Sequence, residues 1–335
     1  MEQEVTNNTN ASTDSGIQIQ NVNQSIWEYL KQKKSREIFV LAPLIVVWEV
    51  LLLYISLRYF HSMSGFIYLM ILPLMLVYVW IYKLKKEFEE AFLQEFASAN
   101  NFSFDKAGSV DETYGTIFRI DGNQSVSDVV SGMYSNSSFK LFLYELTVGS
   151  GRNQQVYKDT VIELDLHGQL PNLLMINKKS HYGGLNIANS FGIRNKFSLE
   201  GDFNQFFTLY GQPNNQIEAL EVFSPDTMAL MEFESKHYNV EFSGNRIYIY
   251  VNGFIHDIST LNQVFTLAKK LTDKIAPLAG RLQNDSAIIA TPVNIDQTRK
   301  SIVIKLNKLA IIIILAVFFI PPIFISLMMM LASVK

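Results

Sequence analysis

The sequence predicts an α+β protein: three transmembrane helices, with a soluble, largely antiparallel-sheet domain plus helices inserted between spans two and three. Three observations lead there. Residues 38–57, 66–82 and 309–331 are nearly uninterrupted apolar runs, about as long as a helix needs to cross hydrocarbon. Residues 101–253 switch to short β-branched and aromatic runs separated by turn residues. Lys and Arg cluster where three of the apolar runs' flanks meet the polar chain.

In chain order, residues 1–24 are rich in Asn, Thr, Ser and Gln, and they read as a disordered tail. They hold too few apolar side chains to offset the entropy of ordering. No basic stretch followed by an apolar core marks a signal peptide there. A short amphipathic stretch from Ser25 to Leu30 leads into a basic collar of Lys31, Lys33, Lys34 and Arg36. Residues 25–82 then form a transmembrane hairpin whose spans, 38–57 and 66–82, are joined by a short polar turn.

Glu49 lies inside the first span. A carboxylate at that depth costs roughly 2.5–3.5 kcal/mol on insertion scales. It reads either as a neutral, hydrogen-bonded group within the helix bundle or as a proton or ion relay. In the third span, residues 309–331, Pro321 and Pro322 must bend the helix or break it in two.

Residues 83–283 form the α+β domain. It starts with a neck helix over 83–99 that carries Leu84, Phe88, Phe92 and Phe96 at a spacing of four. Such a stripe belongs on a core-facing helix surface. Strands are expected at 116–120, 140–148, 160–166, 173–177, 206–210, 218–223, 238–242 and 246–251. The last two flank Ser243, Gly244 and Asn245, which read as a hairpin turn. Ser224 followed by Pro225 and Asp226 announces a helix start. Thr260 to Gln263 open another helix with a capping-box pattern. In it, Leu261, Val264, Ala268, Leu271, Ile275, Leu278 and Leu282 alternate three and four apart. That seam fits either self-association or packing along the sheet or neck. Residues 284–308 are a polar linker back to the membrane.

The positive-inside rule orients the spans. Lys31 to Arg36, then Lys83, Lys85 and Lys86, then Arg299, Lys300, Lys305 and Lys308 mark three flanks as cytoplasmic. The turn between the first two spans carries only Arg58 and His61. The N-terminus and residues 83–308 are therefore expected in the cytoplasm, with Lys335 outside.

The segment Phe197 to Tyr210, the run Ile217 to Met228 and the later Asn245 to Val251 resemble an uncharacterised bacterial membrane-protein family, a domain of unknown function. The resemblance spans residues 80–285 and its motifs are structural. It implies a bacterial inner-membrane protein with two N-terminal spans and a cytoplasmic α+β domain, and it brings no activity. The third span departs from the simplest form of that family.

The chemistry the chain excludes is more definite than the chemistry it suggests. A formal charge of −3 offers no basic face to phosphate, so no nucleic-acid partner is expected. With no cysteine there is no disulfide, thiolate site or cysteine nucleophile. Gly149 to Gly151 lacks the Lys-Ser/Thr of a phosphate loop, and no serine stands in a nucleophile elbow. Glu163, Asp165 and His167 alternate, so a strand would put them on one face. Their reading is a solvent-facing strand edge, with a metal site as the alternative. No catalytic, cofactor-binding or metal residues are assigned. The expected function is a membrane-anchored, non-enzymatic binding or scaffold protein, with the bilayer and a protein partner or a second copy as partners. The alternative is a small oligomeric transporter or channel component built on Glu49 and the Pro321-Pro322 break.

Overall fold

A computed structural model of the protein describes residues 63–110, 113, 115–149, 154–184 and 195–285, with isolated positions between 43 and 54. The expected tail, the span 309–331, and Glu49, Pro321 and Pro322 lie outside the described residues, as does most of 38–57. Among the described residues, no helix is long and apolar enough to cross a membrane. Most side chains of 66–82 are themselves outside that description. The chain divides into two compact units, Glu89–Asn294 with Met1–Ser25, and Ile26–Phe88 with Ile295–Lys335.

Of the second unit, the described part is chiefly the start of helix α1 (Met63–Ala99). That helix takes in both the expected span 66–82 and the neck 83–99. Lys83 and Glu87 pair across one turn at 3.7 Å. All four residues of the expected stripe, Leu84, Phe88, Phe92 and Phe96, are buried.

The first unit is a mixed α+β fold around a large, wholly antiparallel sheet of seven strands. The strands are β1 (Ser103–Ala107), β2 (Asn123–Tyr134), β3 (Ser137–Val148), β4 (Gln155–Asn177), β5 (Asn195–Phe197), β6 (Phe207–Gly211) and β7 (Tyr238–Asn252). Their order is β1-β2-β3-β4-β6-β5, with β7 also paired to β4. The helices that follow are α2 (Phe203–Phe206), α3 (Gln216–Val222), α4 (Pro225–Glu234) and α5 (Ile258–Asp285).

One face of the sheet is closed by α5 and the end of α1. Leu261, Val264, Ala268, Leu271 and Ile275 are buried, and Leu278 is half-buried, so the α5 seam packs within the fold, chiefly along β4. Phe265 on α5 packs against Phe96 of α1 at 5.8 Å and Phe139 of β3 at 5.2 Å between ring centroids. Each such side chain contributes about 1.5–3 kcal/mol by leaving water. Asp257 starts α5, its Oδ1 accepting from the Thr260 backbone N–H at 2.7 Å. The cap is therefore Asp257 and not the expected Thr260. At α4 the expected cap holds, with Ser224 Oγ accepting from the Thr227 N–H.

Several expected strands come out differently. Residues 116–120 form a short 3-10 turn, Ile117–Arg119, with Ile117 and Phe118 buried against the sheet. Residues 218–223 lie mostly in helix α3, because Ala219 and Val222 fall three apart on its buried side. A short apolar run does not by itself distinguish the two periods. The expected strands 160–166 and 173–177 are parts of the single strand β4, whose pairing with β7 shifts register between Asp165 and Leu173. That interval holds Pro171, which has no N–H to lose. It also holds Gly168, at φ +144°, where an added Cβ would sit 2.4 Å from the backbone carbonyl carbon of Ala279. The hairpin expected around Gly244 does not form. Both of its arms pair with β4 in one continuous β7, and Gly244, at φ +62°, faces the shifted segment at Leu170.

Strand β2 was not expected at all. It joins β3 through Ser135 and Asn136, both at positive φ, 49° and 63°. Two left-handed residues in a two-residue loop match the right-handed twist of the flanking strands.

Candidate functional site

The second face of the sheet carries polar and aromatic groups, and strand register decides which of them meet. Lys140 of β3, Glu163 of β4 and Tyr248 of β7 form one row across the sheet. Phe142, Val161 and Tyr250 form the next, and Tyr144 stands opposite Asp159 beyond it. The 3-10 turn and Tyr182 cover this face, which is buried around Tyr144, Tyr182, Tyr248 and Tyr250. Three carboxylates lie within it: Glu163, Asp159 and Glu241 are all buried.

Glu163 holds the outer position. Its side chain is 4% exposed and pairs with Arg246, Nη1 to Oε1 at 2.9 Å. Arg246 Nε also reaches Asp165 at 3.4 Å. Asp165 Oδ2 accepts from Ser138 Oγ at 2.9 Å. Glu163 Oε2 is buried and has no hydrogen-bond partner. Burial raises the Glu163 pKa, against the opposing pull of Arg246 and Lys140 and a hydrogen bond from Tyr248. Glu163 also lines a half-open cleft of ≈ 320 Å³, together with Asp105, Gly108, Ser131, Lys140 and Phe142. The cleft lies over β1 to β4.

Asp159 and Glu241 are handled by neutral donors. Asp159 Oδ2 accepts from the Tyr182 hydroxyl, and His181 Nε2 stands 3.5 Å from the same oxygen. The His181 ring packs against Tyr182 at 4.2 Å and Tyr157 at 5.4 Å. Burial, then the Asp159 charge, raises both Tyr182 and Tyr144 far above the ordinary tyrosine range. Glu241 accepts from the Thr116 backbone N–H and from the Tyr250 hydroxyl, the latter at 2.7 Å. Burial raises its pKa, and the Thr116 and Tyr250 hydrogen bonds only partly offset this.

The expected trio is therefore split. Glu163 and Asp165 meet on one guanidinium, while His167 is exposed. Glu163 is buried on an interior strand, which corrects the expectation of a solvent-facing edge: β4 has neighbours on both sides. Among the described residues, no group of three or more His, Asp or Glu is arranged to hold a metal. Arg246, Lys140 and Tyr248 escaped the sequence reading, because only long-range register brings them to Glu163. Glu241 gives no burial signal in the sequence either: Tyr238, Val240 and Phe242 alternate with Asn239 and Glu241, the pattern of a strand with one face in solvent.

No protein-family model matches the chain, and no curated protein matches it. Among solved structures, the crystal structure of the mycobacterial trehalose monomycolate transport factor A, TtfA, matches with a TM-score of 0.39 at 11% identity, over 56% of this chain and 94% of that one. A likeness at that level carries no argument about function.

Glu241 gives a test with a defined sign. A carboxyl whose folded-state pKa is raised adds stability below its unfolded value, and that stability is lost as pH rises through the folded value. Glu241→Gln keeps the shape and removes the ionisation. The variant should match the wild type in acid and become the more stable of the two as pH rises, by on the order of 1–3 kcal/mol, the scale of a poorly matched buried polar group. Urea denaturation across the pH range measures this; a variant that is less stable at neutral pH contradicts it.

Proposed function

We propose that the chain is a membrane-anchored, non-enzymatic binding or scaffold protein whose α+β domain faces the cytoplasm of a bacterial inner membrane. The observation that carries this reading is the charge asymmetry of the apolar segments. Three flanks hold clustered Lys and Arg, whereas the turn over 58–65 holds Arg58 as its one formally charged residue. In support, the sheet domain follows directly on the second apolar segment through helix α1. The domain carries a half-open cleft of ≈ 320 Å³, near the small end of binding pockets.

The sequence has no cysteine, so single cysteines report topology without background. With His61→Cys and Asn153→Cys in turn, an impermeant thiol reagent applied to intact cells should label position 61 and spare 153. Labelling of 153 and not 61 would reverse the orientation.

A second reading rests on Glu49 within an apolar run and on Pro321 and Pro322 within another. A carboxylate held in hydrocarbon is a default candidate for an ion path. If the chain conducts, Glu49→Gln should abolish ion or proton flux in proteoliposomes; flux equal to wild type counts against that reading.

A further inference from the structure

We propose that residues 17–21 of this same chain add a strand to the open edge of β1. The inference goes beyond the binding-protein reading and rests on it at one point. A two-span hairpin leaves residues 1–37 and the sheet domain on the same side of the membrane.

The edge itself is the first observation. Among the described residues, β1 pairs with β2 alone, and no backbone group bonds to its other side. Ser103, Asp105, Lys106 and Ala107 along it are exposed. An open strand edge is a row of donors and acceptors that pairs with whatever extended chain reaches it. The face beside that edge is also incompletely covered. Asp105 and Ala107 line the half-open cleft, together with the half-buried Val126 and Val129. Asp105 stands opposite Val129, so a strand outside β1 would set every second side chain on the face that carries the cleft.

The second observation is a segment that suits this place. Ile17-Gln18-Ile19-Gln20 alternates apolar and polar residues, the pattern of a strand with one covered face. Ile17 and Ile19 fall together on one side, where they would cover the cleft's apolar lining from beyond Ala107. No charged residue lies between Asp14 and Glu28, so nothing in the segment opposes Asp105 or Lys106. The segment has too little apolar surface to fold alone, and strand addition supplies the missing partner.

Chain length permits the contact. Helix α1 carries the chain about 24 Å from Lys83 to Ala99, and β1 starts at Ser103. Residues 20–37, when extended, span up to about 60 Å. A strand from the same chain is also present at a far higher local concentration than one from a partner. A second copy fits less well. Two-fold pairing along the whole of β1 would set Asp105 against Asp105.

Amide hydrogen exchange of the full-length protein in detergent, read by mass spectrometry, tests this. Residues 17–21 should exchange at least about tenfold more slowly than residues 6–12, and Ile17→Asp combined with Ile19→Asp should remove that protection. The same double variant should speed exchange at β1, while β3 and β4 stay as in the wild type and report an intact fold. Ile17→Val with Ile19→Val keeps the alternation and should keep the protection. Unprotected residues 17–21, protection that survives the two aspartates, or a β1 indifferent to them would each overturn the proposal. Protection that grows with protein concentration would assign the edge to a second copy and overturn it too. Unprotected residues 17–21 alongside the expected cysteine labelling would leave the membrane reading standing. Labelling of 153 and not 61 would turn tail and domain over together and leave the exchange result intact.

Discussion

Strand β4 is hydrogen-bonded on both edges from Thr160 to Leu164 and again from Leu173 to Met175, and that double pairing is the constraint on which the rest of the first unit depends. An interior strand has no free edge, so its side chains must be sorted entirely between two covered faces. The helical face takes Ile162 and Leu164 under α5. The opposite face takes Asp159, Val161 and Glu163. Its pairing with β7 shifts register between Asp165 and Leu173, and within that interval Gly168 closes against the backbone of α5 where no side chain fits.

Three buried carboxylates, Asp159 and Glu163 on β4 and Glu241 on its partner β7, meet one problem in three separate ways. A buried carboxylate must be paired, hydrogen-bonded or protonated. Glu241 is held by a backbone N–H and a tyrosine hydroxyl, and burial favours its neutral form. Asp159 is capped by Tyr182 with His181 alongside. Glu163 alone has a direct cation, Arg246, and it alone lines the cleft. The aromatic content that the sequence displays thus has a specific place in this face. Tyrosines supply apolar bulk together with a donor that can reach a buried acid.

Local signals in the sequence reached what local physics decides. The Ser224 cap, the phenylalanine stripe of the neck, the leucine seam of α5 and the strands at 140–148 and 206–210 all follow from spacing and propensity, and the structure agrees with each. What failed depended on partners far along the chain. Residues 238–251 look like a hairpin because Gly244 usually turns a chain, but β4 pairs with both arms and holds them in line. Strand β2 breaks up its apolar residues with Ser125, Ser127, Asp128 and Ser131 and so does not stand out, and Ser135-Asn136 is a weaker turn signal than Asn-Gly. For the candidate site, the alternation of Glu163, Asp165 and His167 gave the shared face. It could not give burial, nor Arg246, which lies eighty-odd residues away and arrives through β7.

The claim on which this account of the buried face turns is that Glu163 is a buried carboxylate whose neutral form burial favours even though Arg246 pairs with one of its oxygens. Carboxyl ¹³C NMR of the ligand-free, full-length protein, with Glu163→Gln to assign the resonance, follows its ionisation directly. A titration midpoint above the ordinary glutamate range is expected, because burial outweighs Arg246, Lys140 and Tyr248. A midpoint at or below that range would mean that Glu163 is solvated or fully satisfied, and would contradict it.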